Sequence, residues 1–369
     1  MKYLSLGGAL SLAGASLLVA CAAGNHNSST DGLAGSGGAG GSAAVTSASN
    51  GSGGSLTNSG STNGSTGIGG SLAGVGGGVG GNGNVLAYAH TGKELFTFDP
   101  ADPSLAPKSI GTFDCIGGSG QDTTMTDLAV NQSGDLWGIS FKYFYKLELQ
   151  GGGVHCASTT PFNTTGQVSF QALTFAPVGV LDAAKEVLVA GNTAGELWSI
   201  DATGNLAQHG TLGTVPTKDS KGNSYPNHGK AWELSGDIVF LANGGSPVGF
   251  ATVRDCPNPP NNSGCNPIDS LMEIDVDKLK TSTTQSVAGK LIGQITKKSG
   301  CADSGNTDGY GSMYGVAAVG DKVIGFAHSG AIVEIDISDG SACAVQNLDT
   351  TYWDGAGVTT VAPVIVPPN

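Results

Sequence analysis

From residue 84 onward, short apolar runs follow one another, each bounded by Gly, Asn, Asp or Pro, with almost no helical period. Five of these runs end in an acid: Leu95–Asp99, Phe144–Glu148, Leu197–Asp201, Leu271–Asp275 and Ile332–Asp336. Each follows a second apolar run, at Val85–His90, Leu136–Ser140, Val187–Asn192, Ile238–Asn243 and Val323–His328. A further run lies upstream in four of the repeats, at Met125–Val130, Phe170–Ala176, Lys230–Leu234 and Tyr314–Val319. A last run lies downstream in all five, at Lys108–Asp114, Val154–Ser158, Leu206–Leu212, Lys290–Ile295 and Ala342–Leu348. The only helical pattern, a weak one, falls over Asp277–Gln285. The upstream, innermost runs read as mostly apolar or small.

Four strands per unit, repeated five times, is radial repetition, and residues 84–369 resemble a β-propeller in period and strand order. Neither a WD nor a kelch signature recurs from repeat to repeat. The first repeat lacks its innermost strand, and Asp354–Ala362 near the C-terminus reads like the missing one. The expected fold is therefore all-β, a five-bladed β-propeller closed by the C-terminal strand. Closure removes the exposed edge of an open stack. Pro367, Pro368 and Asn369 suit a chain leaving the sheet. A six-bladed propeller or a sandwich is the alternative.

The N-terminus is of another kind. Lys2 precedes an apolar run from Leu4 to Ala20 that is too short and too broken by Gly and Ser to span a membrane. It ends in Leu18-Val19-Ala20-Cys21, which resembles the lipobox of bacterial lipoproteins. The resemblance implies a cleaved signal peptide over 1–20 and lipid attachment at Cys21, which would anchor the chain to the bacterial cell envelope. Ala22, in place of an Asp, points to the outer membrane and leaves its periplasmic and outer sides both open. Residues 21–83 carry a single charge, Asp31, and no aromatic; Gly, Ser, Asn, Ala and Thr dominate. This composition predicts a disordered linker. A coil of about 60 such residues reaches roughly 45 Å. The expected domains are thus signal 1–20, linker 21–83 and propeller 84–369.

Six cysteines remain after Cys21, an even number that suits disulfides in an exported protein. Cys256 and Cys265 share one Pro/Asn-rich loop. Cys115 and Cys301 follow outer strands, while Cys156 and Cys343 lie in the outer strands of the next blades. Equal offsets at equivalent places predict Cys115–Cys156 and Cys301–Cys343, with Cys256–Cys265 as a local clip. No pair has the short spacing of a zinc site.

The net charge of −13 opposes nucleic-acid binding. No nucleophile elbow, Walker loop, HExxH or dinucleotide glycine pattern occurs. The regular strand-end acids read as structural. His90 and His328 hold the same repeat position, each in an Ala-His-Thr/Ser-Gly turn, and blades 1 and 5 are ring neighbours. These turns share a face with the blade-to-blade connections. Two insertions fall on that face: Gly244–Asp269, which extends the blade 4 turn, and Thr214–Gly229, with Tyr225 and His228. The loop Asp303–Gly311 is rich in oxygen ligands without completing a calcium pattern, so calcium is a weak candidate and no other cofactor or metal is expected. Tyr310, Tyr352 and Trp353 offer aromatic contact surface on the same face. The expectation is a monomeric, lipid-anchored, non-catalytic propeller that binds a protein or glycan through this loop face. The alternative is a propeller-type hydrolase or lyase with a central-channel pocket, whose mark would be His and carboxylates converging on the channel.

Overall fold

The structure is a computed structural model that describes residues 85–163, 169–261, 263–281, 283–301 and 308–363. Cys21 and its lipobox, the linker, most of the Asp303–Gly311 loop and the terminal Pro367-Pro368-Asn369 lie outside the described residues. The strands fall in chain order into five sheets. Blade 1 holds β1 (Ala87–His90), β2 (Glu94–Phe98) and β3 (Lys108–Thr112). Blade 2 holds β4 (Asp127–Val130), β5 (Leu136–Ile139), β6 (Tyr143–Gln150) and β7 (Gly153–Pro161). Blade 3 holds β8 (Phe170–Ala176), β9 (Val187–Asn192), β10 (Glu196–Ile200) and β11 (Leu206–Thr211). Blade 4 holds β12 (Glu233–Leu241), β13 (Val248–Arg254), β14 (Ser270–Ile274) and, after the short helix α1 (Val276–Thr281), β15 (Ala288–Gln294). The two-residue β16 (Thr296–Lys297) leads into blade 5, with β17 (Met313–Val319), β18 (Lys322–Ala327), β19 (Ala331–Asp336) and β20 (Ser341–Asn347).

The last strand, β21 (Gly355–Val358), pairs antiparallel with β1 and completes blade 1, giving the order β21-β1-β2-β3. The inner strands β21, β4, β8, β12 and β17 touch one another in a closed circuit. The chain is a five-bladed β-propeller closed by its C-terminal strand, as the repeat predicts. The inner strands β4 and β21, and β1 next to β21, are buried at every residue, whereas the outer β3 and β7 are largely exposed. The apolar content of each run thus follows its distance from the axis. β16 pairs in parallel with β20, so the chain leaving blade 4 covers the outer edge of blade 5.

Blade 4 departs from the sequence expectation. Lys230–Leu234 and Ile238–Asn243 are not two strands; they belong largely to the single strand β12, with an irregularity between Leu234 and Ile238. The second strand is β13, which lies inside the expected insertion Gly244–Asp269. The loop on the connection face is therefore shorter, running from Asp255 to Asp269. Ser235-Gly236-Asp237 has the composition of a turn, but Gly236 is there for close approach: a Cβ on it would stand 2.2 Å from Tyr314 Cα of the next blade.

Four of the five expected strand-end acids build the turns of the opposite face, whereas Glu148 lies inside β6, opposite His155. Asp201 accepts from the Thr203 amide at 2.8 Å and the Asn205 amide at 3.0 Å, and Asp336 accepts from the Ser338 amide at 2.9 Å. Asp99 and Asp275 accept likewise from Ala101 and Lys278. The cores lie between blades. Trp353 seals the closing interface against Phe96, Phe98 and Phe326, with ring centroids 5.3–5.8 Å apart. All three expected disulfides form. Cys115–Cys156 and Cys301–Cys343 close spans of 41 and 42 residues and link neighbouring blades; Cys256–Cys265 closes a span of 9.

Candidate functional site

The inner strands do carry ionisable groups, contrary to their apolar reading. Asp127 of β4 and Asp237 of β12 are both fully buried on the channel axis. One Asp127 oxygen accepts from the Ala356 amide of β21 at 3.2 Å, and the other accepts from the Leu173 amide of β8. Asp237 accepts from the Val316 amide of β17 and from its neighbour Ile238, both at 2.6 Å. The two carboxyl groups also hydrogen-bond each other. Every blade thus contributes one strand to this floor. Burial pushes both carboxyls well above the usual carboxylate range, and the Asp237 charge raises Asp127 further. Burial together with the neighbouring carboxyl thus favours the protonated form of the pair.

His90 lies beside this floor, fully buried. Its Nδ1 donates to the Thr91 carbonyl at 2.8 Å, while Nε2 has no hydrogen-bond partner and stands 3.9 Å from Asp127 Oδ1. Burial lowers its pKa to about 4, so it is neutral. Gly355 leaves the room for this contact: a Cβ there would meet Asp127 Oδ1 at 2.2 Å and His90 Nε2 at 2.3 Å.

Above the floor, towards the connection face, a cavity of about 140 Å³ opens on the axis. Thr124, Thr126, Gln171, Gly236, Tyr314 and Asp354 line it, with every blade represented, and Phe141 stands at the rim. Phe141 is 44% exposed and Tyr352, close by, is 58% exposed. The His328 ring packs at a tilt between Tyr314 and Tyr352, with centroids 4.8 and 5.3 Å away. Its Nδ1 lies 3.2 Å from Asp354 Oδ1. Burial raises the Asp354 carboxyl, and His328 pulls it back down. Aromatic faces, an amide, hydroxyls and one carboxylate converge here, and among the described residues no Lys or Arg lines the cavity.

The residues singled out from sequence divide clearly. The two histidine turns do flank one segment: Asp354 donates its amide to the His90 carbonyl at 2.9 Å and pairs with His328 through its side chain. Of these residues, His328 touches the cavity lining, through Tyr314 and Asp354, and Tyr352 packs on His328. Trp353 is buried in the closing interface, and Tyr225 is buried against Trp232, with its hydroxyl 2.8 Å from Ser270 Oγ. His228 is exposed near the blade 4 loop. The Tyr310 hydroxyl accepts from the Ala344 amide of the outer strand β20, away from the axis. Asp127, Asp237, Tyr314, Phe141 and Asp354 were not singled out as site residues. A lone acid inside an apolar strand, as at Thr126-Asp127-Leu128, is the signal that marks the floor.

No protein-family model matches the sequence, and no curated protein matches it. Among solved structures, the chain is similar to a protein of unknown function from Bacteroides caccae, with 9% identity and a TM-score of 0.39 over 74% of this chain and 98% of that one. It is also similar to a protein of unknown function from Bacteroides thetaiotaomicron, with 11% identity and a TM-score of 0.36 over 72% of this chain and 56% of that one. A third similarity is to the β-propeller domain of Myceliophteria thermophila Cps50 (Swd1), with 12% identity and a TM-score of 0.32 over 68% and 61% of the two chains. The propeller assignment rests on the strand order of this chain itself.

Proposed function

We propose that the protein is a lipid-anchored binding protein of the bacterial cell envelope, tethered through Cys21, whose propeller takes a glycan at the axial mouth. The observation that carries this reading is the mouth itself. Phe141 and Tyr314 give a small polar cup its aromatic lining, the cup takes a side chain or backbone from every blade, and exposed Tyr352 extends the aromatic surface beyond Tyr314 through the His328 ring. Aromatic rings cover the C–H face of a sugar, and Gln171 and Asp354 suit its hydroxyls. The cavity is smaller than a whole-ligand pocket of roughly 300 Å³ or more. It therefore suits one sugar unit, with the rest of a chain lying across the loop face.

The sealed floor supports binding over catalysis. Asp127 and Asp237 are spent on backbone amides and on each other, so neither offers a free oxygen to a substrate. The hydrolase or lyase reading is left with Asp354 and its partner His328, the acid–base pair found at the mouth among the described residues. Detergent-extracted full-length protein on an array of envelope glycans tests the proposal. Binding that is lost with Tyr352→Ala supports it; turnover of a bound glycan that stops with Asp354→Asn would favour the enzyme. Labelled fatty acid retained by the wild type and lost with Cys21→Ser tests the anchor.

A further inference from the structure

Away from the mouth, on the same face of blade 4, Glu233 begins β12 with both carboxyl oxygens buried and without a hydrogen-bond partner. Buried orphans of this kind call for an explanation. A Glu233 oxygen and the sulfurs of Cys256 and Cys265 all lie within 4.8 Å of one another. We propose that Cys256–Cys265 is an exchange-active disulfide that oxidises a dithiol partner, and that the Glu233 carboxyl protonates the sulfur that leaves.

The two sulfurs differ in access. Cys265 is half-buried and can be attacked, whereas Cys256 is fully buried and is the leaving group. A partner thiolate attacks Cys265 Sγ, the S–S bond breaks, and the electron pair leaves on Cys256. Glu233 in its acid form gives that thiolate a proton, and solvent then reprotonates Glu233. The partner's second thiol, deprotonated, attacks the mixed disulfide; Cys265 leaves and takes a proton from water. Two electrons and two protons move from the partner dithiol to this pair, and the partner ends as a disulfide.

The surroundings keep Glu233 in an exchangeable state. Burial pushes its carboxyl up to about 7; Arg254 of β13 pulls it down, and Asp269, ahead of β14, pushes it up. Arg254 is itself committed to Asp269 at 3.2 Å and to Ser235 Oγ at 2.9 Å. Asp255, next to Cys256, also has a buried oxygen without a partner. Cys115–Cys156 offers a control within the same molecule. A carboxylate lies near it too, Asp114, but that group is taken by His155 Nδ1 at 2.6 Å and the Cys156 amide at 2.9 Å. Those bonds hold Asp114 below the usual range, ionised and unable to deliver a proton.

The test treats the folded full-length protein with dithiothreitol from about pH 5 to about pH 9, alkylates the freed thiols and maps them by mass spectrometry. Cys256 and Cys265 should label at least roughly tenfold sooner than the other two pairs. Their rate, expressed per dithiothreitol thiolate, should fall as pH rises through about 7. Glu233→Gln should remove that inflection and slow the opening by roughly tenfold or more. Equal rates at all three bridges in the wild type, a measurement that needs no variant, would overturn the proposal. So would an unchanged pH profile in Glu233→Gln.

Discussion

On the floor of the channel, Asp127 and Asp237 are dry and hold the inner strands through four backbone amides. At the mouth, a residue or two nearer the connection face, Asp354 sits among exposed rings and faces His328. All three acids come from corresponding parts of one ring. What separates them is which groups take their lone pairs and whether water reaches them. A carboxylate whose oxygens are filled by backbone donors holds structure together; one left beside an aromatic wall in contact with solvent can meet a ligand.

The largest effect expected from breaking this contrast is at the floor. Asp127→Ala leaves the Leu173 and Ala356 amides without acceptors inside the ring and should cost about 3–5 kcal/mol in denaturant unfolding. Gly355→Ala pushes a methyl group into Asp127 and His90 and should cost about 1–3 kcal/mol by the same measurement.

The third expected effect is on pH. The floor carboxyls titrate higher folded than unfolded, so the folded state holds a proton the unfolded chain has lost. Their contribution is complete below about pH 4 and falls as pH rises towards the raised folded value. His90 acts in the opposite sense: neutral when folded, it adds stability that is lost as pH drops from about 6.5 to about 4. Asp127→Asn should flatten the decline on the alkaline side, as read from unfolding free energy against pH. The smallest stability effect is at the mouth, where Tyr352→Ala should change unfolding by less than about 0.5 kcal/mol.

The ring could be read from the chain because inner, middle and outer strands differ in apolar content, and because the acids at 99, 201, 275 and 336 supply turns wherever they recur. Cys115–Cys156 and Cys301–Cys343 follow from the same repeat, and Cys256–Cys265 from its shared loop. The floor could not be read so directly. Asp127 sits in a run whose other members are mostly apolar, and the run as a whole reads as apolar. Asp237 follows Ser235-Gly236, which reads as a turn by local chemistry. That composition splits β12 in two and hides β13 in a loop. The need for Gly236 lies in Tyr314, far along the chain, and no local pattern carries that information. Phe141 is a single aromatic in a short turn, and only the closed ring brings it to the axis beside Asp354 and Tyr314.

The contrast between floor and mouth is tested most directly by calorimetric titration of one array-selected glycan against three proteins: wild type, Tyr352→Ala with Phe141→Ala, and Asp127→Asn. The account predicts that the mouth variant loses at least about 1.4 kcal/mol, a tenfold weakening, while the floor variant binds as the wild type does. Loss of binding in Asp127→Asn, with the mouth variant unaffected, would contradict it.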